Sequence, residues 1–362
     1  MVNTWSWIFW LGAVLIGLWS TRNPVYLGLI FFILIIVWHL VKTGIEKENF
    51  EAGPPVPISP LKISLLIILF SAVFNGLISQ YGKTVIFTLP AWITYLGGPF
   101  TLEGLVFGTI NGLILSGILL AFFVVNLALP VHSLVRLIPP AFDNLAVIIS
   151  IAITFMPNTI RQLDQIRESQ AIRGHRVRGL RDWIPLVMPL LVGGLEKAIG
   201  LAEAMTARGF THSEPNGSNK NLRISQVFGL ALIFSGWLLQ FISSSGTFGK
   251  GMIGLGLGLI IFSLWIIGRR TPRSIYRPEK WNGYDFGVIL ISIIVISVYW
   301  LPLLHLDRRS LFYNPYPAMT FPAVDPMVIF ITLGLLAPGI LIRFQGGSEY
   351  SSVEPKPEDD HF

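Results

Sequence analysis

Residues 105–129 read LVFGTINGLILSGILLAFFVVNLAL, a run without a single Asp, Glu, Lys or Arg. A helix crossing the ~30 Å hydrocarbon core of a bilayer needs roughly 17–25 mostly apolar residues. Inside that core only a helix or a closed barrel satisfies every backbone polar group. This stretch is long and apolar enough for a helical span. Seven others follow the same pattern and lack the same four residue types: Trp5–Ser20, Pro24–Val41, Ile63–Ser79, Ile224–Ile242, Met252–Ile267, Phe286–Leu304 and Met327–Ile342. Composition agrees. Of 362 residues, 52% are hydrophobic, 35 more are glycine, and only 13% are charged, against about 25% charged in soluble domains. A soluble fold of that composition would have to expose large apolar patches, and disorder needs the opposite composition. The expected fold class is an all-α integral membrane protein, with about eight transmembrane helices plus a cytoplasmic helical unit.

Charge distribution gives orientation, because Lys and Arg collect in cytoplasmic loops. Segment 158–183 carries Arg161, Arg167, Arg173, Arg176, Arg178 and Arg181; segment 269–280 carries Arg269, Arg270, Arg273, Arg277 and Lys280. Both are placed inside, as is the loop after the second span with Lys42, Lys47 and Lys62. The formal charge of +6 is thereby assigned to the membrane's cytoplasmic side, and nucleic acid is not expected as a partner. A ninth apolar run, Ala141–Met156, conflicts with this arrangement. Crossing there would carry six arginines outside, and the run opens on Asp143-Asn144 and meets Pro157. The expectation is that residues 130–221 stay cytoplasmic as one helical unit, its apolar faces packed together or lying along the bilayer surface. The remaining divisions are 1–129, N-terminal spans; 222–268, an extra two-span hairpin; 269–343, C-terminal spans; and 344–362, an acidic disordered tail. Both termini are expected in the cytoplasm.

Two amphipathic stretches organise 130–221. Ile160, Leu163 and Ile166 recur at helical spacing between charged residues, and Leu191, Leu195, Ala198, Ala202 and Met205 form a second stripe. Each stretch runs into a basic residue followed by glycine, Arg173-Gly174 and Arg208-Gly209. Glycine just past a helix is an ordinary stop, and arginine in the last turn complements the helix dipole. Two such tips on the cytoplasmic face also have the form of a docking element.

The chain shows no recognisable chemistry of its own. There are no cysteines, which removes thiolate catalysis and Cys-ligated metal. The six histidines, His39, His132, His175, His212, His305 and His361, make no short metal pattern. GTFGKG at 246–251 fails as a phosphate loop, since Ser244 stands at the first glycine position and Gly251 replaces the Ser/Thr. No cofactor is expected. Absence of charge within the spans argues against an ion-coupled carrier. The competing reading is a multi-span membrane enzyme acting on a lipid-type substrate, for which the polar candidates are Asp285, His305, Asp307, Arg308 and Arg309.

Several stretches resemble a known family. Pro99-Phe100-Thr101-Leu102-Glu103-Gly104 opening a helix with Asn111-Gly112, Phe155-Met156-Pro157 followed by Gln162–Gly174, and above all LEKAIGLAEAMTARGF at 195–210 resemble the transmembrane T component of energy-coupling factor transporters, the EcfT/CbiQ family. Thr21-Arg22-Asn23-Pro24 and Tyr276–Trp281 fit its flanking loops. The resemblance implies a non-catalytic subunit that couples two ABC-type ATPase subunits to a membrane S component capturing a vitamin or a transition-metal ion such as cobalt or nickel. It further implies that the ATPase-coupling signatures are Ile172-Arg173-Gly174 and Ala207-Arg208-Gly209, with Ile172 standing where alanine is usual. The two spans within 222–268 are extra, and are expected to form a peripheral hairpin close-packed through Gly251, Gly254, Gly256 and Gly258.

Overall fold

The computed structural model describes residues 3–47, 59–79, 82–88, 98–175, 179–210, 220–242, 247–270, 281–300, 308–316 and 319–341. It is almost wholly helical. The helices are α1 (Thr4–Ser20), α2 (Pro24–Lys47), α3 (Pro60–Ile78), α4 (Leu102–Ala128), α5 (Val131–Val135), α6 (Asp143–Ile172), α7 (Ile184–Ala207), α8 (Lys220–Ile242), α9 (Thr247–Arg270), α10 (Gly283–Trp300) and α11 (Pro326–Leu333). Two short strands, β1 (Val85–Thr88) and β2 (Pro99–Thr101), pair antiparallel before α4. All eight expected spans fall on helix where they are described, except that Ser79 and Leu129 are the residues just past their helices. Seven helical segments are long and apolar enough to cross a membrane, and they include 145–172 and 181–207. The run 141–156 is therefore no separate element: α6 continues through Pro157 for 30 residues. Leu301–Leu304 and Ile342, the loop 271–280, His305, Asp307 and the tail 344–362 lie outside the described residues.

The chain forms two compact units, 1–130 with 277–362, and 131–276. In the first, the buried apolar positions of α1 (Trp7, Trp10, Val14, Leu18), α2 (Leu27, Ile30, Leu34, Val37), α4 (Leu120, Ala121, Val124) and α10 (Val288, Val295) make one core. Trp10 donates its indole N–H to the Leu335 carbonyl at 2.8 Å. Helix α3 lies against α4 along Gly104, Gly108 and Gly112, spaced by four so that they share one face. A Cβ on Gly108 or Gly112 would stand 2.8 Å from the Cα of Ala72 or Ile68, so the two backbones touch where only glycine allows it. The opposite face of α3, with Leu65, Leu66, Leu69 and Phe70, is exposed and suits lipid.

Buried polar side chains fasten the ends of these helices. Asn23, between α1 and α2, donates from Nδ2 to the carbonyls of Ser310 and Ala323, 2.7 and 2.8 Å. The fully buried Glu103, in the first turn of α4, accepts from the Thr84 N–H (3.0 Å), the Thr84 hydroxyl (2.9 Å) and the Lys83 N–H (3.2 Å). Glu103 thus holds the segment leading into β1. Glu103→Ala leaves three donors without their acceptor, a loss of about 2–4 kcal/mol by the usual cost of orphaned buried groups. The purified variant should melt well below wild type in detergent, with Glu103→Gln between them. Identical melting of Glu103→Ala and wild type would remove the anchoring role.

In the second unit, α6 packs on α7, α8 on α9, and α9 on the 3-10 turn Pro140–Phe142 that precedes α6. Helices α8 and α9 meet through glycine, and of the expected cluster Gly256 takes part. A Cβ on Gly236 would lie 2.8 Å from the Gly249 carbonyl, and one on Gly229 would lie 3.0 Å from the Gly256 carbonyl. Gly249, Gly256 and buried Ser263 repeat every seven residues, close to two helical turns, and so share the face toward α8. Gly251, Gly254 and Gly258 turn away, with nothing within 4 Å of a Cβ built on them.

Candidate functional site: the two arginine-tipped helices

Helices α6 and α7 end in the same way, and the reason is local. Arg173 and Arg208 are the C-cap residues, each followed by a glycine at positive φ, +77° for Gly174 and +80° for Gly209. The His175 N–H bonds the Gln170 carbonyl and the Gly174 N–H that of Ala171, both at 2.9 Å. Phe210 to Met205 and Gly209 to Thr206 repeat the pattern at the same distances. This is the paired 6→1 and 5→2 closure of a Schellman motif, which satisfies the last helical carbonyls and requires a left-handed residue that glycine supplies without strain. The second signature departs from the first only in what precedes the arginine: Ala207 against Ile172, which is 83% exposed.

All six signature residues, Ile172, Arg173, Gly174, Ala207, Arg208 and Gly209, are exposed. Among the described residues neither guanidinium has a hydrogen-bond or ion-pair partner. Arginine at such a position presents a planar fork of donors suited to carboxylates and backbone carbonyls. The last helical turns add negative dipole, which favours the cation there in the unbound state.

The helices are held to each other behind the tips. Lys197 donates from Nζ to Oε1 of Gln162 at 2.8 Å, and the amide of Gln162 lies against Gly193, where a side chain would have to displace it. Arg173 stands eleven residues beyond Gln162, and Arg208 eleven beyond Lys197. Eleven residues span about 16 Å of helix and return to within about 20° of the same face. The two tips are therefore equal arms measured from one crossing point. Each helix also carries a proline on the near side of the crossing, Pro157 in α6 and Pro189 in α7, where one backbone hydrogen bond is missing and the helix nevertheless runs on without a break.

In the described part of the link between the helices, Asp182 makes the contacts. Its carboxylate accepts from the Gly179 N–H at 2.9 Å, and its carbonyl meets His175 Nε2 at 2.8 Å. The amphipathic stripes are only half used within the chain. Leu163, Ile166 and Met205 are partly buried, whereas Ile160, Leu191, Leu195 and Ile199 are exposed. Sequence reasoning found the tips and missed the Gln162–Lys197 crossing, whose partners lie 35 residues apart. Of the polar residues of the competing enzyme reading, the side chains of His305, Asp307, Arg308 and Arg309 lie outside what is described, and Asp285 is the one described. Asp285 is buried and accepts from the N–H groups of Asn3 (2.8 Å) and Asn282 (2.9 Å). Its carboxylate joins the start of α10 to the cap of α1.

Comparison with known proteins bears on the same segment. The chain is 28% identical over 209 residues to the energy-coupling factor transporter transmembrane protein EcfT 1 of Listeria monocytogenes, covering 52% of this chain and 71% of that one. It is 27% identical over 244 residues to the EcfT protein of Ruminiclostridium cellulolyticum, covering 60% and 89%. To that of Lacticaseibacillus paracasei it is 27% identical over 248 residues, covering 64% and 88%. Residues 4–218, which take in both arginine tips, match the family model described as CbiQ, cobalt transport protein. That match spans more than half of the chain, and this multi-pass membrane protein belongs to the CbiQ family.

Proposed function

We propose that the chain is the coupling subunit of an energy-coupling factor importer, passing motions of two partner ABC-type ATPases to a membrane S component. The observation that carries this reading is the pair of exposed, identically closed arginine tips set at equal distance from the α6–α7 crossing. In this reading Arg173 and Arg208 dock on the two ATPases, Gly174 and Gly209 end the helices at the docking point, and Ile172 and Ala207 line the contact. The chain hydrolyses no ATP itself. Specificity for a vitamin, cobalt or nickel resides in the S component. Exposed apolar positions on α3 and α8, such as Leu66 and Phe228, face lipid. The direct test is co-purification of the ATPase subunits with the detergent-solubilised protein; a chain that inserts normally and never retains them would end the proposal.

Docking requires both tips on one side, so residues 130–221 belong to the cytoplasm. The chain has no cysteines, which makes single-cysteine labelling unambiguous. His132→Cys and Asn158→Cys, both at exposed positions flanking the first half of α6, should react with an impermeant maleimide only from the cytoplasmic side. Reaction of the two from opposite sides would show that α6 crosses the membrane and would put Arg173 and Lys42 on opposite faces.

A further inference from the structure

We infer that the α8–α9 hairpin is a buttress for α6, bearing on the turn from which that helix starts and so positioning its tip. Gly268, in the last turn of α9, faces the turn directly: a Cβ there would lie 3.7 Å from Pro140 Cβ and 3.8 Å from the Ala141 nitrogen. The turn is stiff. Pro139 and Pro140 each have φ locked near −65°, and the Phe142 N–H closes it on the Pro139 carbonyl at 2.8 Å. Helix α6 then begins at Asp143 with no intervening loop. Displacement at Pro140 is thus carried into the helix.

The body that presses there is stiff too. Backbone meets backbone at Gly229–Gly256 and Gly236–Gly249, so α8 and α9 move as one piece. The guanidinium of Arg269 stacks 3.7 Å over the Trp265 ring, a cation–π contact within the last turns of α9. A 30-residue helix is about 45 Å long, and a 5° tilt at its base displaces its far end by about 4 Å. The hairpin lies beyond residue 218, where the family match ends. An element outside the matched region thus grips one inside it. Calling the moved end a coupling tip rests on the function proposed above; the mechanical contact does not.

The test measures geometry without any ATPase present, which keeps it separate from the docking reading. Nitroxides at Ser169→Cys on α6 and Ala202→Cys on α7, both exposed positions, report their separation by electron–electron double resonance in the otherwise cysteine-free full chain. Gly268→Ala fits at ordinary contact distance and should leave the distribution in place. Gly268→Leu adds a branched side chain beyond that contact distance and, if it wedges against Pro140, should shift the distribution by about 3–4 Å, as the same lever estimate gives. Gly258→Leu, on the same helix with open space around it, is the control. Deleting 222–268, which preserves span parity, should broaden the distribution. A distribution unmoved by Gly268→Leu, or unchanged by the deletion if the leucine variant fails to insert, overturns the buttress. Loss of the docking reading would appear elsewhere, in ATPase capture by the Arg173 and Arg208 variants.

Discussion

Replacing Arg173 and Arg208 together by alanine is expected to abolish capture of the partner ATPases while the protein still inserts and folds. Both side chains are exposed and make no intrachain ion pair among the described residues, and both helices are closed by backbone bonds that do not involve the guanidinium. Removing them therefore costs this chain little. At an interface, truncating a buried, hydrogen-bonded charge costs about 2–5 kcal/mol, or roughly 30- to 4,000-fold in affinity. The tips lie on different helices and would meet different ATPases, so the two losses should add. Arg→Lys should fall between, since it keeps the charge and loses the two-pronged geometry. Gly174→Val and Gly209→Val provide the complementary test: each forces a β-branched residue into the left-handed region at +77° or +80°, unravelling the tip while the arginine stays. Capture of both ATPases at wild-type strength by the double alanine variant, with normal uptake, would show that the tips are helix punctuation alone.

What the sequence revealed, and what it did not, divides by the range of the interaction. Charge-free apolar runs located every helix of the first unit, because the cost of placing unpaired polar groups in hydrocarbon is paid residue by residue. The Arg-Gly pairs were visible for a similar reason: a Schellman closure is built from six consecutive residues. Glu103 was legible only as part of a family-like stretch, since its partners at Lys83 and Thr84 come from the loop before β1 and no local pattern names them. Gln162 and Lys197 each read as ordinary exposed polar residues until the α6–α7 packing placed them together. Length and composition also leave open whether α6 and α7 span or lie along the bilayer, because both satisfy the same threshold as the other candidate spans; the placement of arginines is the sequence's argument for the second alternative. Of the α9 glycines expected to pack, Gly256 does, while Gly251, Gly254 and Gly258 lie on another face. The seven-residue spacing of Gly249, Gly256 and Ser263, matched by Gly229 and Gly236 on α8, was present in the sequence and would have identified the seam.

That seam should be the least tolerant place in the second unit. A Cβ on Gly256 would stand 2.6 Å from the Gly229 carbonyl and 3.0 Å from the Ile233 nitrogen, and one on Gly236 would meet both the Gly249 carbonyl and the Ile253 nitrogen. These obstacles are backbone atoms of an intact helix, so no rotamer change relieves them; α8 and α9 have to separate. In a bilayer no hydrophobic gain draws the helices back together, since lipid chains are as apolar as leucine, and close packing supplies most of the association. Overpacking typically costs about 1–3 kcal/mol, and Gly256→Leu should reach about 3 kcal/mol or more because the clash is with two main-chain atoms of the facing helix. Gly236→Leu should do the same, while Gly254→Leu and Gly258→Leu, with open space around their Cβ positions, should melt like wild type in detergent. The substitution also separates the hairpin's two roles. If the α8–α9 pair works as a stiff body against Pro140, Gly256→Leu should broaden the Ser169–Ala202 separation even though it lies twelve residues from Gly268, and a double variant with Gly268→Leu should shift less than the sum of the two. Equal melting of Gly256→Leu and Gly254→Leu would place the seam in the wrong register, and with it the stiffness on which the buttress depends.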